Sequence, residues 1–82
     1  MIYPRQIKAA RALVGISQVE LANRVGLSPA TIKRIEVSVD ELRFKVDTML
    51  RIKQALEECG VVFIDSDEDH GPGVRLADRH AR

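Results

Sequence analysis

Residues 15–36 read GISQVELANRVGLSPATIKRIE, and the fold turns on how this run divides. Ser17-Gln18-Val19-Glu20 has the S-x-x-E form of a capping box, in which the serine oxygen accepts a free backbone N–H and the glutamate reaches back to the cap residue. A helix therefore starts here and runs to about Val25. Gly26 supplies the left-handed backbone that a sharp turn between helices needs, and Ser28-Pro29 gives a cap followed by proline at the first helical position. A further helix begins at Pro29 and carries Ala30, Thr31, Ile32, Lys33, Arg34, Ile35 and Glu36.

Working outward, Ile7, Ala10, Leu13 and Val14 recur at the spacing of one helical face, which predicts a helix from Pro4 to Val14 that Gly15 interrupts. Residues 37–44 have no clear period and read as a loop. Met49, Ile52, Leu56 and Cys59 predict a fourth helix over 46–59, ended by Gly60. The character then changes. Val61-Val62-Phe63-Ile64 is β-branched and aromatic, the run 65–73 is polar and acidic, and Val74-Arg75-Leu76 is apolar again, which predicts two short strands joined by a mobile acidic loop. The fold class is mainly α, four helices with a short two-stranded β appendage. The division is a helical unit over 1–60, a β appendage over 61–76 and a disordered tail over 77–82 with nothing to bury.

The chain of 82 residues has room for one small core, so a two-lobed enzyme is excluded and self-association would add useful stability. Charged residues make up 30 % and only Tyr3, Phe44 and Phe63 are aromatic, the balance of a soluble helical chain. No stretch has the length of a signal peptide or a membrane span, and Cys59 alone allows no internal disulfide, which together predict a cytoplasmic protein. The net charge of +1 hides an asymmetry. Residues 1–53 hold ten Lys/Arg against five acids, whereas residues 54–82 hold three Arg against seven acids. A basic body with an acidic end predicts a polyanion-binding face on the first part, against the blander alternative of an unevenly charged solvated surface.

Two helices around a glycine turn become informative only when every position of a pattern is met. Counting from Gln18, a DNA-binding helix-turn-helix requires a small fifth residue, a glycine at the ninth, and apolar residues at the fourth, eighth, tenth, fifteenth and eighteenth. Leu21, Ala22, Val25, Gly26, Leu27, Ile32 and Ile35 fill all seven. The stretch 15–36 thus resembles the lambda-repressor-like Cro/XRE family of helix-turn-helix regulators. The likeness extends to Arg11, Glu36 and Ala55-Leu56 and covers residues 5–60, and the tail GVVFIDSDEDHGPGVRL is similar to an ending of short bacterial members. Val37 departs from the pattern, which has Gly or Asn after the glutamate. The resemblance implies a four-helix DNA-binding domain in a bacterial or phage regulator. It also implies that Arg11 and Glu36 meet as a structural pair.

The exposed face of the third helix presents Ser28, Pro29, Ala30, Lys33 and Arg34 for contacts with base edges. Arg34 is the strongest reader, since a guanidinium bridges O6 and N7 of guanine with two bonds, while Pro29 and Ala30 offer apolar contact to a thymine methyl. Gln18, Thr31, Arg43 and Lys45 are assigned to backbone phosphates, Gln18 with the help of the helix N-terminus. For each of these, an ordinary solvated residue is the alternative. Val61, Phe63, Val74 and Leu76 are assigned to a dimer interface, because a lone hairpin is marginal in water and the same segment of a second subunit would cover its apolar face.

Other chemistries fare badly. Cys59, His70 and His80 are too dispersed for zinc, the run 65–69 lacks the glycine and glutamate offsets of a calcium loop, and no nucleophile set or phosphate loop supports catalysis, so neither cofactor nor metal is expected. Without an aromatic platform beside the basic residues, single-stranded nucleic acid is disfavoured. The sequence reading is a non-enzymatic, sequence-specific double-stranded DNA-binding regulator: a homodimeric repressor that occludes a promoter at a palindromic operator. Two alternatives stand beside it, an antitoxin that also binds a toxin and a protein-interaction module without DNA binding.

Overall fold

The structure, a computed structural model, describes residues 2–39 and 44–78. At the start of each of its first three helices a side chain accepts a free backbone N–H, whereas the fourth has no such cap. The first, α1 (Pro4–Val14), starts with a proline whose missing N–H costs nothing there, and the Gln6 side-chain oxygen accepts the Tyr3 N–H at 2.7 Å. Ser17 Oγ accepts the Glu20 N–H at 3.0 Å to open α2 (Gln18–Val25), and Ser28 Oγ accepts the Thr31 N–H at 3.1 Å to open α3 (Pro29–Val37). Only half of the capping box at Ser17 forms. The Glu20 side chain stays exposed and makes no return bond. The last helix is α4 (Val46–Glu58), and the chain then forms β1 (Val61–Ile64) and β2 (Gly73–Leu76).

One stripe from each helix meets in a common core. Ile7, Leu21, Ala22, Ile32, Ile35, Met49, Ile52 and Leu56 are essentially without solvent contact. Ala22, the small residue of α2, lies fully buried in this core. Leu13, read as part of the inward face of the first helix, is 41 % exposed. Ile7, Ala10 and Val14 make the inward stripe at steps of three and four, and Leu13 lies a further 100° or so around the helix from Val14. Between α2 and α3 the chain turns at Gly26, whose φ of 73° places it in the left-handed region, with its N–H bonded to the Ala22 carbonyl.

The hairpin is antiparallel and pairs within the chain, Val61 with Leu76 and Phe63 with Val74. Paired residues share a face, so Val61, Phe63, Val74 and Leu76 all point the same way. That face lies on the helical core. Val61 is 2 % exposed, and Phe63 and Val74 pack against the buried cluster. The sequence reading gave these four residues to a second subunit; α1 and α4 of the same chain supply the cover instead. Val61 accordingly has no surface to give a partner, whereas Phe63, Val74 and Leu76 are half-buried.

Gln6 fixes the hairpin to α1. Its amide nitrogen donates to the Gly73 carbonyl at 2.8 Å and the Ile64 carbonyl at 3.3 Å, one from each strand, while its oxygen holds Tyr3. At the far end of the hairpin, Asp67 Oδ1 accepts the N–H groups of Asp69 and His70, both at 2.8 Å, which builds a defined turn in the acidic run. These two bonds, with the His70 side chain, hold the exposed Asp67 carboxyl below its ordinary range.

A Cβ built on Gly26 meets no atom within 4 Å, so a substitution there acts through backbone strain rather than crowding. Gly26→Val is expected to cost about 1–3 kcal/mol, read as a lower urea midpoint. An unchanged midpoint would contradict the strained turn.

Candidate nucleic-acid interface

The helix pair α2–α3 is anchored by a carboxylate in the last turn of α3. Glu36 has a side chain only 2 % exposed, and burying a charge is costly unless it is paired and fully hydrogen-bonded. Arg11 on α1 answers it with two bonds, Nε to Oε2 at 2.6 Å and Nη2 to Oε1 at 2.8 Å, the planar fork geometry that suits a carboxylate. Arg11 Nη1 also donates to the Ile16 carbonyl at 3.1 Å, tying in the turn before α2. The Gln18 amide, at the first position of α2, donates to Glu36 Oε1 at 3.0 Å. One carboxylate therefore joins α1, the start of α2 and the end of α3.

The titration behaviour follows. Burial pushes the Glu36 carboxyl up, but the bonds from Arg11 and Gln18 and the charges of Arg11 and Lys8 outweigh it and hold the group below its ordinary value. The bond to Glu36 raises Arg11 against the opposing effect of its own burial.

With Ile32 and Ile35 turned inward, α3 exposes Pro29, Ala30, Lys33 and Arg34. Lys33 and Arg34 make no ion pair among the described residues. At the start of α3 the Ser28 and Thr31 hydroxyls share one hydrogen bond of 2.9 Å, so of their two protons one is used internally and one can be given to a ligand. The base-edge candidates Ser28, Pro29, Ala30, Lys33 and Arg34 thus occupy one exposed surface, with Thr31 half-buried at its edge. Gln18 is half-buried beside Glu36, and with one amide hydrogen given to that carboxylate it keeps a second to donate. Lys45 is exposed immediately before α4. Arg43, the remaining phosphate candidate, lies outside the described residues.

The sequence reading missed the Gln18–Glu36 bond. It also missed the buried role of Gln6. A polar residue eighteen or more positions from its partner carries no local signal, and the only hint for Gln6 is its place three residues after a helix cap.

A family model described as helix-turn-helix matches residues 7–60. No curated protein matches the chain.

Because the folded-state Glu36 carboxyl is lowered, its contribution to stability is complete above the unfolded carboxylate value of about 4.3 and is lost as pH falls through the lowered one. Urea midpoints of the native protein should therefore fall steeply on the acid side, and Glu36→Gln should be less stable at neutral pH but flatter below pH 5 or so. Parallel acid limbs in the two proteins would show that Glu36 does not carry this dependence.

Proposed function

Since the chain belongs to the Cro/C1-type helix-turn-helix family of DNA-binding regulators, we propose that it is a homodimeric repressor that reads a palindromic duplex operator in the major groove and occludes a promoter. The observation that carries this reading is the face of α3. Two long basic donors, Lys33 and Arg34, make no ion pair among the described residues and stand beside apolar Pro29 and Ala30 on a helix whose opposite side is locked by Ile32, Ile35 and Glu36. A recognition helix needs this combination of unpaired donors and a rigid seat, because any donor paired within the protein must lose that partner before it reads a base.

In this reading Arg34 bridges a guanine, Lys33 reaches a base or phosphate, and the Ser28 hydroxyl serves the groove edge. Gln18, Thr31 and Lys45 then fix the register on the phosphates, with Arg43 assigned to the same task. The protein works in the cytoplasm, where its DNA is. Among the described residues no helix is long and apolar enough to cross a membrane.

The proposed dimer uses the outward side of the hairpin. The Ala77 N–H bonds the Gly60 carbonyl at 2.7 Å, and the alternation of an antiparallel ladder then turns the peptide groups of Val61 and Phe63 toward the outer edge of β1. Such an edge is a ready template for a second copy, and Ile64, 40 % exposed, sits at its end.

Replacing Arg34 by Ala should weaken operator binding by about 1–3 kcal/mol and relax preference at one G·C position per half-site, measured by titration against single-base operator variants. Equal weakening on every sequence would make Arg34 a phosphate contact and remove the proposed reader. For the dimer, Ile64→Asp should sediment as a monomer with an unchanged fold by circular dichroism. A dimer that survives this change would move the interface to α4, where Val46 and Leu50 share an exposed face.

A further inference from the structure

The proposed interface is drawn from α2, α3 and the loop before α4, yet the charge distribution around Glu36 brings α1 into it as well. Arg11 and Glu36 neutralise one another in a two-bond pair. Lys8 lies three residues before Arg11, on the same side of α1, and its charge acts on the same Glu36 carboxylate. Unlike Arg11, it is exposed and forms no ion pair among the described residues. Gln18 reaches Glu36 from α2. The face of α1 that carries Lys8 and Arg11 therefore meets, through Glu36, the start of α2 that carries Gln18, and since Arg11 already answers the Glu36 charge, the net charge of Lys8, Arg11 and Glu36 is positive. An unpaired ammonium beside a neutralised pair is free to take an anion, because it gives up no internal partner in doing so.

We propose that Lys8 is a DNA phosphate contact that extends the protein's footprint from the helix-turn-helix pair onto α1. The inference rests on the DNA-binding reading above. Its chemistry is that of a point charge on a flexible stem, so it adds affinity without sequence preference. Arg5 stands one turn nearer the start of α1, but it lines the groove shared with Val39 and β2 and is not part of this contact.

The test measures binding of the full chain to a mixed-sequence DNA duplex as salt is raised, for the native protein, Lys8→Gln and Lys8→Arg. Each phosphate contact adds about 0.9 to the slope of log affinity against log salt. Between about 50 and 200 mM salt the native protein should therefore lose roughly threefold more affinity than Lys8→Gln, and Lys8→Arg should keep the native slope. The urea midpoint of Lys8→Gln should stay close to native, since Lys and Gln have similar helix propensities, the side chain is exposed and its charge is the smallest of the influences on Glu36. Identical slopes for native protein and Lys8→Gln would overturn the contact while leaving the DNA-binding reading intact. A native protein that fails to bind duplex at low salt would overturn both.

Discussion

The position of α3 depends on the carboxylate of Glu36. It sits at the C-terminal end of that helix, where the backbone carbonyls already make the surroundings negative, and it is removed from water. A charge so placed is tolerated only because Arg11 grips it with two bonds and Gln18 adds a third. Losing Arg11 would leave the buried Glu36 carboxylate with only the neutral Gln18 amide as a hydrogen-bond partner, which makes it the more damaging half of the pair to remove. The same constraint serves function. A bidentate pair restrains rotation as well as distance, so the exposed side of α3 is held at a fixed angle to α1 and α2. At the other end of α3, the Gly26 turn and the Ser28 cap perform the same task with backbone geometry.

The hairpin has a comparable logic. A two-stranded sheet is marginal alone, and this one gains its stability by laying Val61, Phe63 and Val74 on the helical core while Gln6 holds a carbonyl of each strand. Gln6 is an unusual choice for a site only 5 % exposed, but its amide answers three backbone groups at the junction of α1 and the hairpin. The hairpin is thus continuous with the helical core on one side, and only its outer face and edge are available to a second molecule.

Much of the helical part could be read from the sequence because the signals are local. Ser17, Gly26, Ser28 and Pro29 mark boundaries within a few residues of themselves, and the small residue Ala22 is legible once the two flanking helices are placed. The arrangement of the exposed α3 residues follows from the same periodicity. What could not be read depends on long-range contact. Gln6 meets Ile64 and Gly73 across 58 and 67 positions of sequence, and the identity of the surface covering Phe63 depends on how α1 and α4 are packed. An apolar strand must be covered, but nothing local in the strand says by what, and the helical core has apolar surface of its own to offer.

The central claim is that α3 reads duplex DNA as one half of a two-fold symmetric pair. The most direct measurement is a selection of bound duplexes from a random-sequence pool, using the full chain, followed by sequencing. The account predicts an enriched palindrome with half-sites about one helical turn, roughly 10 bp, apart and a G·C pair in each half-site. A bound pool with no enriched sequence, or enrichment of an unpaired single site, would contradict it.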